Sequence, residues 1–87
     1  MYKIVIHKRA ASYLRRLPAP DKDRVKNALK AISDNPEGHH QVRQMLGEWK
    51  GYYRLRVGNY RVVFWIDNEG KTLYVDHIGP RGDVYKR

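Results

Sequence analysis

The chain opens on Tyr2-Lys3-Ile4-Val5-Ile6-His7, a β-branched run with loose alternation that predicts a short strand. From Lys8 the apolar period changes. Ala10, Tyr13, Leu14 and Leu17 recur at i, i+3, i+4 and i+7, which predicts a helix over 8–17. Pro18-Ala19-Pro20 stops it, because proline disfavours helical geometry in the residue before it. A second helix is expected from about Pro20 or Asp21, with early acids at the positive end of its dipole. Val25, Ala28, Leu29 and Ile32 form its stripe, and Asn35-Pro36 lies beyond its end. Residues 36–41 read as a loop. Residues 42–50 have no clear period and are compatible with a short strand leading into a turn at Gly47 and Gly51.

The remainder reads as a β-meander. Strands are expected over 52–57 and 60–66, joined by Gly58-Asn59 as a two-residue loop. Asp67-Asn68-Glu69-Gly70 is a turn, followed by a strand over 72–78 that Gly79-Pro80-Arg81-Gly82 is expected to break. The order is β-α-α-β-β-β, an α+β fold with a helix hairpin packed on an antiparallel sheet.

Alternation then assigns faces. A two-residue loop sets Val57 opposite Tyr60 and Arg56 opposite Arg61, so Tyr53, Leu55, Val57, Tyr60, Val62, Phe64 and Ile66 share the face toward the helices. Tyr52, Arg54, Arg56, Arg61, Val63 and Trp65 fall on the other, expected to be open. No acid occurs from Lys50 to Ile66 to relieve the clustering of Lys50, Arg54, Arg56 and Arg61. Arginine is common on solvated strand faces, but arginines interleaved with Tyr and Trp also suit a phosphate site with rings that stack on bases.

Composition narrows the possibilities. Eighty-seven residues accommodate one small domain, expected to span 1–87, and 41% apolar residues suffice for a modest core. Eighteen Lys and Arg against nine Asp and Glu leave a net charge of +9, which favours a polyanionic partner, nucleic acid or an acidic protein. The absence of cysteine excludes disulfides, a thiol nucleophile and Cys-based zinc sites. No apolar run is long enough for a membrane helix, and no signal-peptide pattern opens the chain, so no membrane association and a cytoplasmic location are expected.

Two segments carry a family resemblance. The run from Tyr53 to Phe64 (YRLRVGNYRVVF) resembles the central hairpin of the RelE/ParE toxin superfamily. His77-Ile78-Gly79-Pro80-Arg81-Gly82-Asp83-Val84-Tyr85 is similar to that superfamily's C-terminal end, and the order and size of the elements match over essentially the whole chain. The resemblance implies a RelE-like fold and, in the RelE branch, a ribosome-dependent endoribonuclease that cuts messenger RNA by attack of a 2′-hydroxyl. The branch's catalytic set corresponds here to Arg54, Arg56, Arg61, Arg81 and Tyr85, all chemically suitable, which favours RelE over ParE. It further implies a cognate acidic, RelB-like antitoxin, the ribosome and mRNA as partners, and no metal or other cofactor. Two alternatives are a ParE-like inhibitor of DNA gyrase acting through protein contacts and a catalytically inactive basic RNA-binding module. Arginine at 54 and 56, where relatives can carry lysine, keeps the last in play, because a guanidinium cannot serve as a general base.

The implied chemistry needs a base for the 2′-hydroxyl, charge stabilisation of the phosphorane and a proton for the leaving oxygen. Arg61 and Arg81, supported by Arg54 and Arg56, suit the second task. For the proton transfers the candidates are Tyr85, which can alternatively stack on a nucleotide, Glu48 in its Gly-flanked segment, and His77. Strict alternation sets His77 on the apolar face beside Leu73 and Val75, in a structural role. Adjacent His39 and His40 lack metal-ligand spacing, Ser12 and Ser33 have no triad context, and Trp49 is expected to be partly buried. Lys8, Arg9, Arg15, Arg16, Lys22, Lys26 and Lys30 form a helical basic set expected to contact ribosomal RNA. Lys50, Tyr52 and Trp65 complete the expected RNA-binding residues on the sheet side.

Overall fold

In the computed structural model, which describes residues 1–80, the first strand β1 (Lys3–Ile6) pairs in parallel with the last, β5 (Thr72–Pro80). Between them run α1 (Lys8–Arg15), α2 (Ala19–Ile32), β2 (Val42–Gln44), β3 (Tyr53–Val57) and β4 (Tyr60–Asp67). The sheet order is β1-β5-β4-β3-β2, so every contact but the first is antiparallel. The expected α+β architecture is present, with one strand more than the meander predicted. That strand is β2, which comes from the segment without a clear period; a single 3-10 turn at Gly47–Trp49 follows it.

Both helices cover one face. Ala10 and Leu14 of α1 and Val25, Leu29 and Ile32 of α2 are buried against Val42, Leu55, Val57, Val62, Phe64, Leu73, Val75 and Ile78. The 3.6 and 2.0 periods therefore meet in one core, centred on Phe64, which is fully buried. α1 starts where the His7 Nδ1 accepts the Arg9 amide at 3.1 Å. It ends at Arg15, two residues short of the expected span, because the Arg16 and Leu17 amides turn to the carbonyls of Tyr13 and Leu14, three residues back. In α2 the Pro18 carbonyl accepts the Lys22 amide, and Pro20 sits in the first turn, where its missing N–H is no loss.

The β3–β4 hairpin has the predicted register: Val57 faces Tyr60, Arg56 faces Arg61 and Tyr53 faces Phe64. Of its two loop residues only Gly58 has positive φ, +57°, the sign pattern of a type II′ turn, whose twist suits a hairpin.

The last strand departs from expectation in two ways. Val75 pairs with Phe64 but His77 pairs with Val63, so Asp76 is an extra residue, a β-bulge. It falls where β1 ends and β5 loses its second neighbour, since Ile6 pairs with Val75. His77 is thereby turned off the apolar face to which strict alternation assigned it. The strand also continues through Gly79 and Pro80, opposite Arg61 and Tyr60, where a break was expected. From Asp76 onward β5 is an edge strand, the position in a sheet that tolerates proline.

Candidate functional site

On the sheet face away from the helices the register builds short rows. Arg43 stands opposite Arg54, Arg54 opposite Val63, and Val63 opposite His77, from β2 across to β5. The next row is Arg56, Arg61 and Gly79. Like charges set directly opposite one another are in themselves destabilising. Among the described residues no ion pair joins Arg43, Arg54 or Arg56 to a carboxylate. An ion pair on α2 joins Arg24 to Asp21 at 3.6 Å.

This face is not open, in contrast to the expectation. The segment after β2 folds back over it: the Met45 amide donates to the Tyr52 carbonyl at 2.9 Å, and Gly47 and Gly51 take φ of +67° and +96°, which their lack of a Cβ permits. Met45 and Val63 are buried there, with Trp49 and Tyr52 packed against them edge to face at 5.4 Å between ring centroids. Tyr52, expected as a stacking ring, is thus part of a small second core, and Trp49 is half-buried as expected. Alternation could not reveal this cover, because it comes from residues outside any regular element. Trp65 remains 37% exposed and lies flat on Tyr74 at 4.4 Å, a stacked pair at the rim of the face.

Arg61 is 7% exposed, the most buried cation among the described residues, whereas Arg56 is exposed and Arg54 intermediate. A side chain with five fixed donors, held beside a glycine, is a preorganised partner for an oxyanion. His77, half-buried, is diagonal to Arg61 on the same face. Arg81 and Tyr85 lie outside the described residues.

The helical basic set is separate. Lys8, Arg9, Arg15, Arg16, Lys26 and Lys30 are exposed and Lys22 is half-buried, on helices that cover the opposite face of the sheet. Arg9 and Arg16 nevertheless line a cleft with His77, Gly79 and Pro80 of β5, so part of the helical set reaches the edge of the sheet. Lys50 and Glu48 are exposed on the turn that covers Val63.

Among the described residues, Tyr60, Tyr53 and His39 depart from their ordinary values. Tyr60 is held protonated above the usual tyrosine range by its hydrogen bond to Asp21, at 2.6 Å, and then by burial. Tyr53 is raised in the same way by Glu37 at 2.8 Å. His39 is lowered, first by burial and then by the neighbouring His40, whose ring stacks on it at 4.7 Å. Arg43 was missed in the sequence because β2 is three residues long and shows no alternation. Its signal is the absence of any acid but Glu48 between Glu37 and Asp67.

Among solved structures the fold recurs in the RelE–RelB complex of the archaeon Pyrococcus horikoshii OT3, at 26% identity over 94% of this chain and 97% of that one, with a TM-score of 0.80. It recurs in the RelBE2 toxin–antitoxin complex of Mycobacterium tuberculosis at 25% identity, over 92% and 98% of the two chains, again with a TM-score of 0.80. A YoeB/ParE toxin from Agrobacterium tumefaciens shares the fold at 17% identity, over 91% and 98%, with a TM-score of 0.79. No curated protein matches the sequence significantly. The family described as "ParE toxin of type II toxin-antitoxin system, parDE" matches residues 4–85. With the match spanning nearly the whole chain on a fold shared with these toxins, the chain belongs to the ParE toxin family of type II toxin–antitoxin systems, within the RelE/ParE superfamily.

Proposed function

We propose that this toxin is a ribosome-dependent mRNA endoribonuclease. The observation that carries the reading is the arginine face: Arg54, Arg56 and Arg61 share one side of the β3–β4 hairpin, with Arg56 directly opposed to a buried Arg61. Guanidiniums gathered on one small surface suit it to take up an anion.

In the proposed reaction the 2′-oxygen of one nucleotide bonds to the adjacent phosphorus as its proton leaves to a base. The bond from phosphorus to the 5′-oxygen breaks, and that oxygen takes a proton, leaving a 2′,3′-cyclic phosphate and a 5′-hydroxyl. Arg61 stabilises the charge that develops on the phosphoryl oxygens, with Arg81 in the same role and Arg54 and Arg56 supporting. His77 supplies the proton-transfer group. The Asp76 bulge sets it on the arginine face, and imidazole is the side chain whose ordinary titration lies nearest neutrality. Tyr85 and Glu48 are the alternatives. The scheme needs no metal or cofactor. Partners follow from the same reading: an acidic, RelB-like antitoxin, in keeping with the RelE–RelB and RelBE2 complexes that share the fold, and ribosomal RNA at Lys8, Arg9, Arg15, Arg16, Lys22, Lys26 and Lys30, all in the cytoplasm where ribosomes work.

A second reading follows the family match, described as a ParE toxin: a toxin that, as the resemblance to the ParE branch implies, inhibits DNA gyrase through protein contacts. One experiment separates the two. The protein is expressed, translation and replication are followed separately, and message ends are mapped with and without ribosomes. Ribosome-dependent message ends support the nuclease; replication arrest with intact messages overturns it in favour of the second reading.

A further inference from the structure

The turn that leads into β2 is closed by one residue from two sides. The His39 carbonyl accepts the Val42 amide at 3.0 Å, and the His39 Nδ1 accepts the Gln41 amide at 3.1 Å. The second bond requires that Nδ1 carry no proton. Much depends on this turn, because β2 is three residues long and forms the edge of the sheet. At its start the Gln41 carbonyl accepts the Arg56 amide at 3.3 Å, and the Arg43 Nη1 donates back to the carbonyls of His40 at 2.8 Å and Val42 at 3.1 Å. Val42, 6% exposed, is the β2 side chain that joins the core under the helices. The surroundings of the half-buried His39 ring disfavour a proton. His40 stacks on it with ring centroids 4.7 Å apart and planes 20° from parallel. Arg43 of β2 and Arg54 and Arg56 of β3 border His40 and Gln41 on the sheet side. Of the nearby acids, Glu37 has its carboxylate engaged by the Tyr53 hydroxyl at 2.8 Å, and Asp34 is exposed. Burial first, and His40 second, hold the His39 imidazole below its ordinary value.

We propose that His39 is an acid-sensitive catch: protonation of its ring opens the 39–42 turn and frees β2 from the sheet while the rest of the domain stays folded. A proton on Nδ1 turns the acceptor of the Gln41 amide into a second donor facing it, and places a charge in the stack with His40. Arg43 also stands directly opposite Arg54, like charges that in themselves weaken the pairing of β2 with β3. With the turn open, His39 titrates at the ordinary histidine value, about 6.5; with it closed, at a lower one. The open form therefore takes up the proton first as pH falls. The contribution of the catch is complete above about pH 6.5 and is lost as pH falls through the lower, closed value. On release β3 becomes the edge of the sheet and Arg43 leaves its place opposite Arg54. Acid thus alters the arginine face whichever target the toxin has.

The test follows the full chain by NMR from pH 7.5 down to pH 5, which stays above the ordinary carboxylate range. The Gln41 and Val42 amide shifts should titrate with the midpoint of the His39 ring itself. Over the same interval the hydrogen-exchange protection of the Val42 and Arg56 amides, taken relative to the unprotected rate at each pH, should fall about three- to tenfold, the worth of one ordinary hydrogen bond. The Val62 and Phe64 amides, on a strand paired on both sides, should keep theirs. His39→Asn offers the same amide two residues on a side-chain acceptor that does not titrate, so its β2 protection should be equal at the two ends of the range. Unchanged protection at Val42 and Arg56 in the unaltered protein overturns the proposal, and so does an equal acid loss in His39→Asn. Simultaneous loss at Val62 and Phe64 also overturns it, since the whole domain is then unfolding. If His39→Asn folds poorly, the unaltered protein still decides: Gln41 and Val42 shifts that titrate away from the His39 midpoint remove the catch.

Discussion

His77 stands directly opposite Val63 on the arginine face, because Asp76 is an extra residue between it and Val75. The placement gives the first expectation. His77→Asn keeps a polar ring-sized side chain but cannot carry the proton, and should lower the rate of message cleavage about 100-fold or more with KM little changed. Deleting Asp76 removes the bulge and leaves His77 opposite Val63 in a regular ladder, so that variant should retain most of its activity. Single-turnover cleavage on programmed ribosomes measures both. Unimpaired cleavage by His77→Asn would remove the residue from the mechanism.

Arg56 and Arg61 oppose each other across the hairpin, which places a stability cost at the site. Arg56→Thr relieves the repulsion with a residue that favours strands, and should raise the free energy of unfolding by about 0.2–1 kcal/mol. Activity should fall at the same time, the exchange common where a binding surface is strained for function. Urea titration beside the cleavage assay reads both quantities. A loss of stability would mean that the two arginines are not in conflict.

The arginine face was legible in the sequence to the extent that local geometry sets it. Gly58-Asn59 fixes the loop at two residues, the loop fixes the register, and the register pairs Arg56 with Arg61. What escaped depends on longer-range structure. Asp76 bulges where β1 stops beside β5, a tertiary coincidence that leaves no mark in the alternation of Thr72 to Ile78. Tyr52 looked exposed because it follows the period of β3, yet a turn with two left-handed glycines brings Met45 and Trp49 over it. Arg43 lay unseen in a strand too short to show a period.

That cover has its own consequence. Met45 and Val63 form a core separate from the one under the helices, with Trp49 and Tyr52 around it. Met45→Ala should cost about 2 kcal/mol or somewhat more, toward the low end for buried large-to-small changes because the cluster is small and near solvent. The loss should appear first as faster hydrogen exchange at the Met45 and Tyr52 amides, which close the turn, with the Leu55 and Phe64 amides staying protected. Uniform loss of protection would show that the two cores unfold as one.

Tyr60 ties the start of β4 to the first turn of α2 through its 2.6 Å bond to Asp21, with the Tyr13 ring edge-on at 6.5 Å. Because the bond requires the phenol proton, the folded protein holds that proton more tightly than the unfolded chain. The unfolded chain therefore releases its proton first as pH rises. The contribution is fully present below about pH 10, the ordinary tyrosine value, and is lost as pH climbs through the higher folded value. Tyr53 with Glu37 acts in the same direction, so Tyr60→Phe should remove part of the alkaline loss and Tyr53→Phe another part. Urea midpoints at pH 8 and pH 10.5 test this. The unaltered protein should lose more between the two than Tyr60→Phe does, although Tyr60→Phe starts lower at pH 8. Lysine titration is common to both proteins and cancels in the comparison. Asp21→Asn should also reduce the alkaline loss, since it removes the carboxylate that holds the proton. Equal losses in all three proteins would show that the Tyr60–Asp21 bond does not couple the helix to the sheet in solution.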